Sequence, residues 1–474
     1  MHCGMQGTVS LTCTSSFLIA TQSKIQQLMY IDDVKSFLIR MSSVSAIIAM
    51  LMLFIFLISI SMRTWFLIPL AGVTVFGYLL LTIPYWWLKG NARSGVAILL
   101  ACTLVLIWRW HFPDVSTVLV RFTDVFWLLL AMGLLRHVMN IWRISEFLSE
   151  RLMRYGKGSL TLSIAILTAF LAWPMSLGVI PLMIDALKKS VFPSRHLAAI
   201  VMRMMSITMV LMPTSIGAAT VFSAMPRTPI FTSAAFGIPL FLFSLLLLCF
   251  SPVVPLANPI ICDERRANKE GERLRIWIFL ILFWLTFIVA LTVIRLNALE
   301  SIALTASILY VLERGSSRSV DFLTPLVAVI RSISSEIMLL LGCSLLISTC
   351  DLLIPLLPMT FSHSLASLSV WQRYACILFV LPIFSVVGIH PMVLFSLAFP
   401  LLGSSITYGV TDYLVWICFF IAAQLLSPVS INAIFASSSL HISPVDTSFK
   451  MHSYYVLMFN LFAFIYLSFF VQYL

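Results

Sequence analysis

The chain is made of apolar runs about as long as a bilayer is thick. A helix that crosses the hydrocarbon needs about 20 consecutive apolar residues. Reading between charged or Pro/Gly punctuation gives runs at 44–62, 65–87, 95–110, 123–140, 159–187, 196–225, 236–254, 276–296, 299–312, 333–354, 374–402, 412–440 and 453–472. Of 474 residues, 61% are hydrophobic and 10% charged, with a mean hydropathy of +1.06. Soluble domains run about 45–50% apolar and about 25% charged, and a chain of this length cannot enclose such a surplus in a water-soluble core. A cytosolic enzyme, a secreted disulfide scaffold and a disordered chain are excluded. The expected fold is an all-α polytopic membrane protein.

Two runs, 159–187 and 374–402, are too long for one crossing and carry Gly-x-x-Pro in mid-run, at Gly178–Pro181 and Gly388–Pro391. They read as re-entrant hairpins, since non-helical backbone at membrane depth is tolerated where protein or a wet cavity covers it. Runs 196–225 and 412–440 are interrupted at Pro213 and Pro428 and read as discontinuous helices. That leaves about eleven transmembrane helices plus two hairpins.

Charge supports this count. The net charge of +11 follows from the preference of Lys and Arg for cytoplasmic loops, and no nucleic-acid partner is needed to explain it. With two hairpins and a cytoplasmic N-terminus, only Arg63, Arg109, Arg121, Arg227, Arg295 and Arg373 of the 29 basic residues fall outside. Making either hairpin a full crossing inverts everything after it and degrades the bias. The C-terminus then lies outside, and the expected location is the inner cell membrane. The nine cysteines form no CxxC and no Cys/His cluster at metal spacing, so neither a disulfide framework nor a resident metal is expected. Residues 1–43 read as a cytoplasmic segment, or as sequence preceding an initiator at Met29 or Met41, followed by an extra N-terminal helix at 44–62.

The chain also repeats. Trp127–Gly133 lies against Met338–Ser344 at an offset of 211, Gly178-x-x-Pro181 against Gly388-x-x-Pro391 at 210, and Pro213-Thr-Ser-Ile-Gly-Ala218 against Pro428-Val-Ser-Ile-Asn-Ala433 at 215. One copy spans 63–258, a charged cytoplasmic linker spans 259–275, and the second copy spans 276–474. An odd number of crossings separates the copies, so they are inverted in the membrane. Inverted repeats that meet at broken helices near the midplane characterise secondary transporters.

A helix broken in hydrocarbon frees N–H groups at one half-helix N-terminus and C=O groups at the other half's C-terminus. The first end is positive and suits an anion, and the second suits a cation. Proline ends the ladder without orphaning an N–H, and Ser, Thr and Asn add side-chain oxygens. The alternative is that these residues only kink and pack helices. His390 stands apart, because its repeat mate is the apolar Ile180. It could meet an anionic group or carry a proton, or be a neutral histidine bonded to the backbone. Asp185 reads as an interfacial partner of Lys188 or Lys189; Arg136, His137, Arg203, Arg331 and Glu336 read as snorkelling charges. Asp124, Asp351 and Asp412 read as boundary charges near outer helix ends.

The order of elements, with Gly178-Val-Ile-Pro181, Gly388-Ile-His-Pro391, Pro213-Thr-Ser-Ile-Gly217 and Pro428-Val-Ser-Ile-Asn432, resembles the ion transporter superfamily of elevator-type carriers. That superfamily includes divalent-anion/sodium symporters, citrate carriers and the large membrane subunit of tripartite transporters. The resemblance implies two clamps for substrate and coupling ion. The first is Ser176 and Gly178 with Pro213, Thr214, Ser215 and Gly217; the second is Gly388 and His390 with Pro428, Ser430 and Asn432. The symporters' Ser-Asn-Thr hairpin signature is replaced here by Met175-Ser176-Leu177 and Val386-Val387-Gly388. The resemblance implies a homodimer, no cofactor, and Na⁺ or H⁺ as the coupling ion at the same residues.

The leading expectation is an ion-coupled secondary transporter of a small carboxylate-type anion, with elevator-like alternating access and no enzymatic activity. No G-x-x-x-x-G-K-[ST] is present to bind ATP. Two other readings stay open: a membrane-embedded enzyme or polymerase acting on lipid-linked substrates, and the membrane subunit of a multi-component transporter with an accessory protein.

Overall fold

In the computed structural model of the protein, the described residues are 104, 123–142, 144, 157–175, 179–180, 183–184, 194–212, 215–225, 228–249, 270–294, 296, 298–316, 329, 334–353, 367–403, 409–440 and 442–471. Their regular structure is entirely helical, as the apolar runs predict. The N-terminal segment, the extra helix at 44–62, nearly all of 63–122, and Asp185 lie outside the described residues.

The helices run in the expected order. They are α1 (Thr123–Ile141), α2 (Lys157–Met175), α3 (Ser194–Ile207), α4 (Ile216–Ala224), α5 (Ile230–Cys249), α6 (Glu270–Thr292), α7 (Ala298–Ser316) and α8 (Ser334–Leu353). Then come α9 (Val370–Ala375), a π-turn (Cys376–Val380), α10 (Leu381–Val386), α11 (Pro391–Gly403), α12 (Val410–Leu426), α13 (Ile431–Leu440), α14 (Pro444–Thr447) and α15 (Phe449–Ile465), which ends in a second π-turn (Tyr466–Val471). One boundary differs from the sequence reading. Helix α6 begins at Glu270, inside the stretch 259–275 read as linker, because Glu270, Arg273 and Arg275 are good helix formers ahead of the apolar run.

The second discontinuous helix shows its break directly. Pro428 cannot donate to the ladder and disfavours helical backbone at the residue before it; Ser427 is accordingly extended, at φ −82° and ψ 122°. The first break follows α3, which tightens into a 3₁₀ turn at Thr208–Val210 before Ser215 opens α4. In the second hairpin, α9 to α10 is the outgoing arm and α11 the return. The tip turns at Gly388, whose φ of +102° is a left-handed conformation open to glycine, and Pro391 occupies the first helical position.

From Leu414 onward helix α12 is apolar all round and buried almost throughout, with Gln424 its polar exception. It sits at the centre, packed by α10, α15, α4, α5 and α3. Helix α1 lies along α7, α2 along α3, and α8 along the returning arm α11. The outer faces carry exposed Phe231, Ile238, Leu242 and Leu246 on α5, and Trp277, Ile281, Leu285 and Ile288 on α6. Charge-free apolar stripes of this kind suit a surface facing lipid. Among the described residues, Ile230–Leu248 and Pro444–Phe469 are long and apolar enough to cross a membrane by themselves. The expected total of eleven crossings falls partly on residues outside the described set.

Candidate functional site at the paired helix breaks

The two breaks lie side by side. A Cβ at Gly217 would stand 2.8 Å from Phe420 Cδ1 and 3.2 Å from Gln424 Nε2, so the missing side chain is what lets α4 approach α12 this closely. In the other direction, Asn432 on α13 donates from Nδ2 to Ser206 Oγ on α3 at 3.2 Å and to Gln424 Oε1 at 3.3 Å. The first half of each broken helix thus meets the second half of the other.

Each short half-helix opens on a serine. Ser215 Oγ accepts from the Ala218 N–H at 3.3 Å, and Ser430 Oγ accepts from the Ala433 N–H at 3.2 Å. A capping serine satisfies one of the orphan donors of a first helical turn and leaves the neighbouring N–H groups pointing outward. Ser215 and Ser430 line one narrow cleft, about 10 Å³ in volume, with His390, Gln424, Ile216 and two methionines, Met205 and Met392. His390 is half-buried, and its Nδ1 accepts from the Met392 N–H at 3.2 Å. That bond makes the imidazole neutral with its proton on Nε2, a donor at the hairpin tip.

The second break also carries acceptors with nothing to accept from. Ser427 Oγ and Asn432 Oδ1 are buried without a hydrogen-bond partner among the described residues, and buried oxygens of this kind are exceptions that call for an explanation. Among the described residues no three His, Cys, Asp or Glu side chains gather to hold a metal ion. Oxygen donors here are hydroxyls, amides and backbone carbonyls.

Of the residues singled out from the sequence, Ser215, Ser430 and His390 line the cleft. Gly217 and Asn432 stand one step behind it, Pro428 forms the turn between α12 and Ser430, and Gly388 turns the hairpin tip. Ser176, Gly178, Pro213 and Thr214 lie outside the described residues. Met205, Ile216, Met392 and Gln424 were not anticipated. Gln424 had a readable signal, as a lone amide in the apolar stretch 413–426.

Two charges are placed differently from the sequence reading. Arg203, expected to snorkel, is 1% exposed: its Nε donates to His452 Nδ1 at 3.2 Å, an Nη donates to the Met451 carbonyl at 2.8 Å, and its guanidinium lies 4.6 Å from the Tyr455 ring centre. The Tyr455 hydroxyl in turn bonds Ser244 of α5. Folding α15 back along α3 supplies enough polar groups to hold the cation inside. Asp412, expected at a boundary, is buried, accepting from the Tyr374 hydroxyl at 3.0 Å and from the Gly409 N–H at 3.3 Å at the start of α12.

No family model and no curated protein sequence matches the chain. Its fold does match solved structures. One is the crystal structure of the Alcanivorax borkumensis YdaH transporter, with a TM-score of 0.51 over 77% of this chain and 89% of that chain, at 14% identity. The chain therefore has the all-helical fold of a membrane transporter.

Proposed function

We propose that the protein is a secondary active transporter that couples movement of a small anionic solute, of the carboxylate type, to an ion gradient. The observation that carries this reading is the shared cleft, where two serine-capped half-helix N-termini and His390 face one another. First-turn N–H groups and the positive helix ends would hold the anionic group, and His390 Nε2–H would donate to it. Ile216, Met205 and Met392 would take the apolar part of the solute.

The coupling ion, Na⁺ or H⁺, belongs at the second break. Buried, unpartnered Ser427 Oγ and Asn432 Oδ1, together with the last carbonyls of α12, form the negative end of a half-helix, which suits a cation. The reciprocal contacts of Gly217 with α12 and of Asn432 with α3 support two inverted repeats at 63–258 and 276–474 related by a pseudo-twofold axis. Membership of the ion transporter superfamily, elevator-like movement, homodimerisation and an inner-membrane location with the N-terminus inside belong to the same proposal.

The test is flux into proteoliposomes holding the purified full chain, with labelled mono- and dicarboxylates under imposed Na⁺ or proton gradients. Gradient-dependent accumulation that ionophores abolish is the expected result. Flux that no gradient alters, for any anion tried, would overturn the assignment.

A further inference from the structure

The outgoing arms of the two hairpins differ in structure. The outgoing arm of the first, α2, is one continuous helix from Lys157 to Met175. The outgoing arm of the second is α-helix, then the π-turn Cys376–Val380, then α-helix again, with Pro382 just beyond the turn. At the tip of the second, Val387 is 80% exposed and, among the described residues, a Cβ on Gly388 would meet nothing within 4 Å.

A π-turn inserts a residue into the helical ladder and disturbs its hydrogen bonding, and such turns gather at functional sites. In this one, the Leu378 carbonyl accepts from Nδ2 of Asn460 on α15. Asn460 is buried and its Oδ1 has no partner among the described residues, so the described bond of this amide is the one to the arm. Around it, Trp371 packs edge-on against Phe469 at 4.2 Å and Phe464 at 6.2 Å, and Phe379 against Phe464 at 5.9 Å. These rings pin the start of the arm to α15. Past the turn α10 packs against α12, burying Pro382 and Ser385, while Ile383 and Phe384 face outward.

We infer that Asn460 is a positioning residue: by holding the Leu378 carbonyl, it sets the angle at which α10 carries Gly388 and His390 over the cleft, and the π-turn is the hinge about which this tip opens. The consequence for the solute rests on the reading of His390 as part of its site; the hinge does not.

The test separates the two. In a cysteine-free full-length background reconstituted in nanodiscs, spin labels at Val387→Cys and Tyr454→Cys report the distance from tip to α15. Labels at Ile166→Cys and Ile238→Cys report the first arm. Asn460→Leu, which keeps the volume and loses the donor, should broaden and shift the first distribution and leave the second unmoved. Asn460→Gln, which keeps a donor on a longer stem, should recover the native distribution in part. An unchanged tip distance in folded Asn460→Leu overturns the inference. Should that variant not fold, the Asn460 chain itself decides. Two tip populations beside one narrow population for the first arm support the hinge, and a single narrow tip population overturns it. A moving tip in a protein that carries no anion would sink the transport assignment and leave the hinge standing.

Discussion

Replacing Asn432 by leucine removes an amide of nearly the same size from the crossing of the two breaks. The structural loss is two bonds, to Ser206 Oγ and Gln424 Oε1. Hydrogen bonds between membrane helices average about 0.6 kcal/mol, so folding should weaken by about 1 kcal/mol, well inside the 5–15 kcal/mol typical of folded domains. The functional loss is of another size. If Asn432 Oδ1, buried and unpartnered, meets the coupling cation, its removal costs a charged interaction of about 1.5–3 kcal/mol. That corresponds to an apparent ion affinity weaker by about 10- to 150-fold, at 1.4 kcal/mol per decade. Purified Asn432→Leu should therefore stay folded by size-exclusion and thermal unfolding, while its half-saturating ion concentration rises by that factor in proteoliposome flux. A folded variant whose ion dependence matches the native chain would refute this reasoning.

Other perturbations address neighbouring parts of the site. His390→Ala should abolish uptake at normal membrane abundance, since it removes the donor at the hairpin tip; unaltered uptake and unaltered pH dependence would remove His390 from the site. Gly237→Ala places a Cβ 2.2 Å from the Val210 backbone oxygen, so α5 must back away from the 3₁₀ turn. Overpacking of this kind costs about 1–3 kcal/mol and should lower the unfolding temperature in a thermal melt. Arg203→Met strands His452 Nδ1 and the Met451 carbonyl, a loss of about 1–3 kcal/mol. Arg203→Lys should not restore stability, because a single ammonium cannot reproduce the fork that reaches both; equal stability of the Lys variant and the native chain would contradict this.

What could be read from the sequence follows from backbone chemistry. Pro428 forecast a break because proline acts locally; the capping by Ser215 and Ser430 is not part of the sequence reading, which gives these hydroxyls only as site oxygens. Gly388 forecast the hairpin tip for the same reason. The partners across the cleft were out of reach, since Met205 and Gln424 come from helices more than 200 residues apart in the chain. Arg203 was misplaced because an arginine near a helix end snorkels unless another segment covers it, and the cover comes from Met451, His452 and Tyr455. The π-turns leave no compositional mark: Cys376–Val380 is as apolar as its repeat mate within α2.

The most direct test asks whether both breaks open on one aqueous chamber. Single cysteines at Ser215, Gly388 and Ser430, in a cysteine-free chain in native membranes, are exposed to a charged, water-borne thiol reagent with and without transported anion. The account predicts that all three are labelled and that the solute protects them together, at one common concentration. Failure of Ser215→Cys and Ser430→Cys to react, or protection of one without the other, would contradict it.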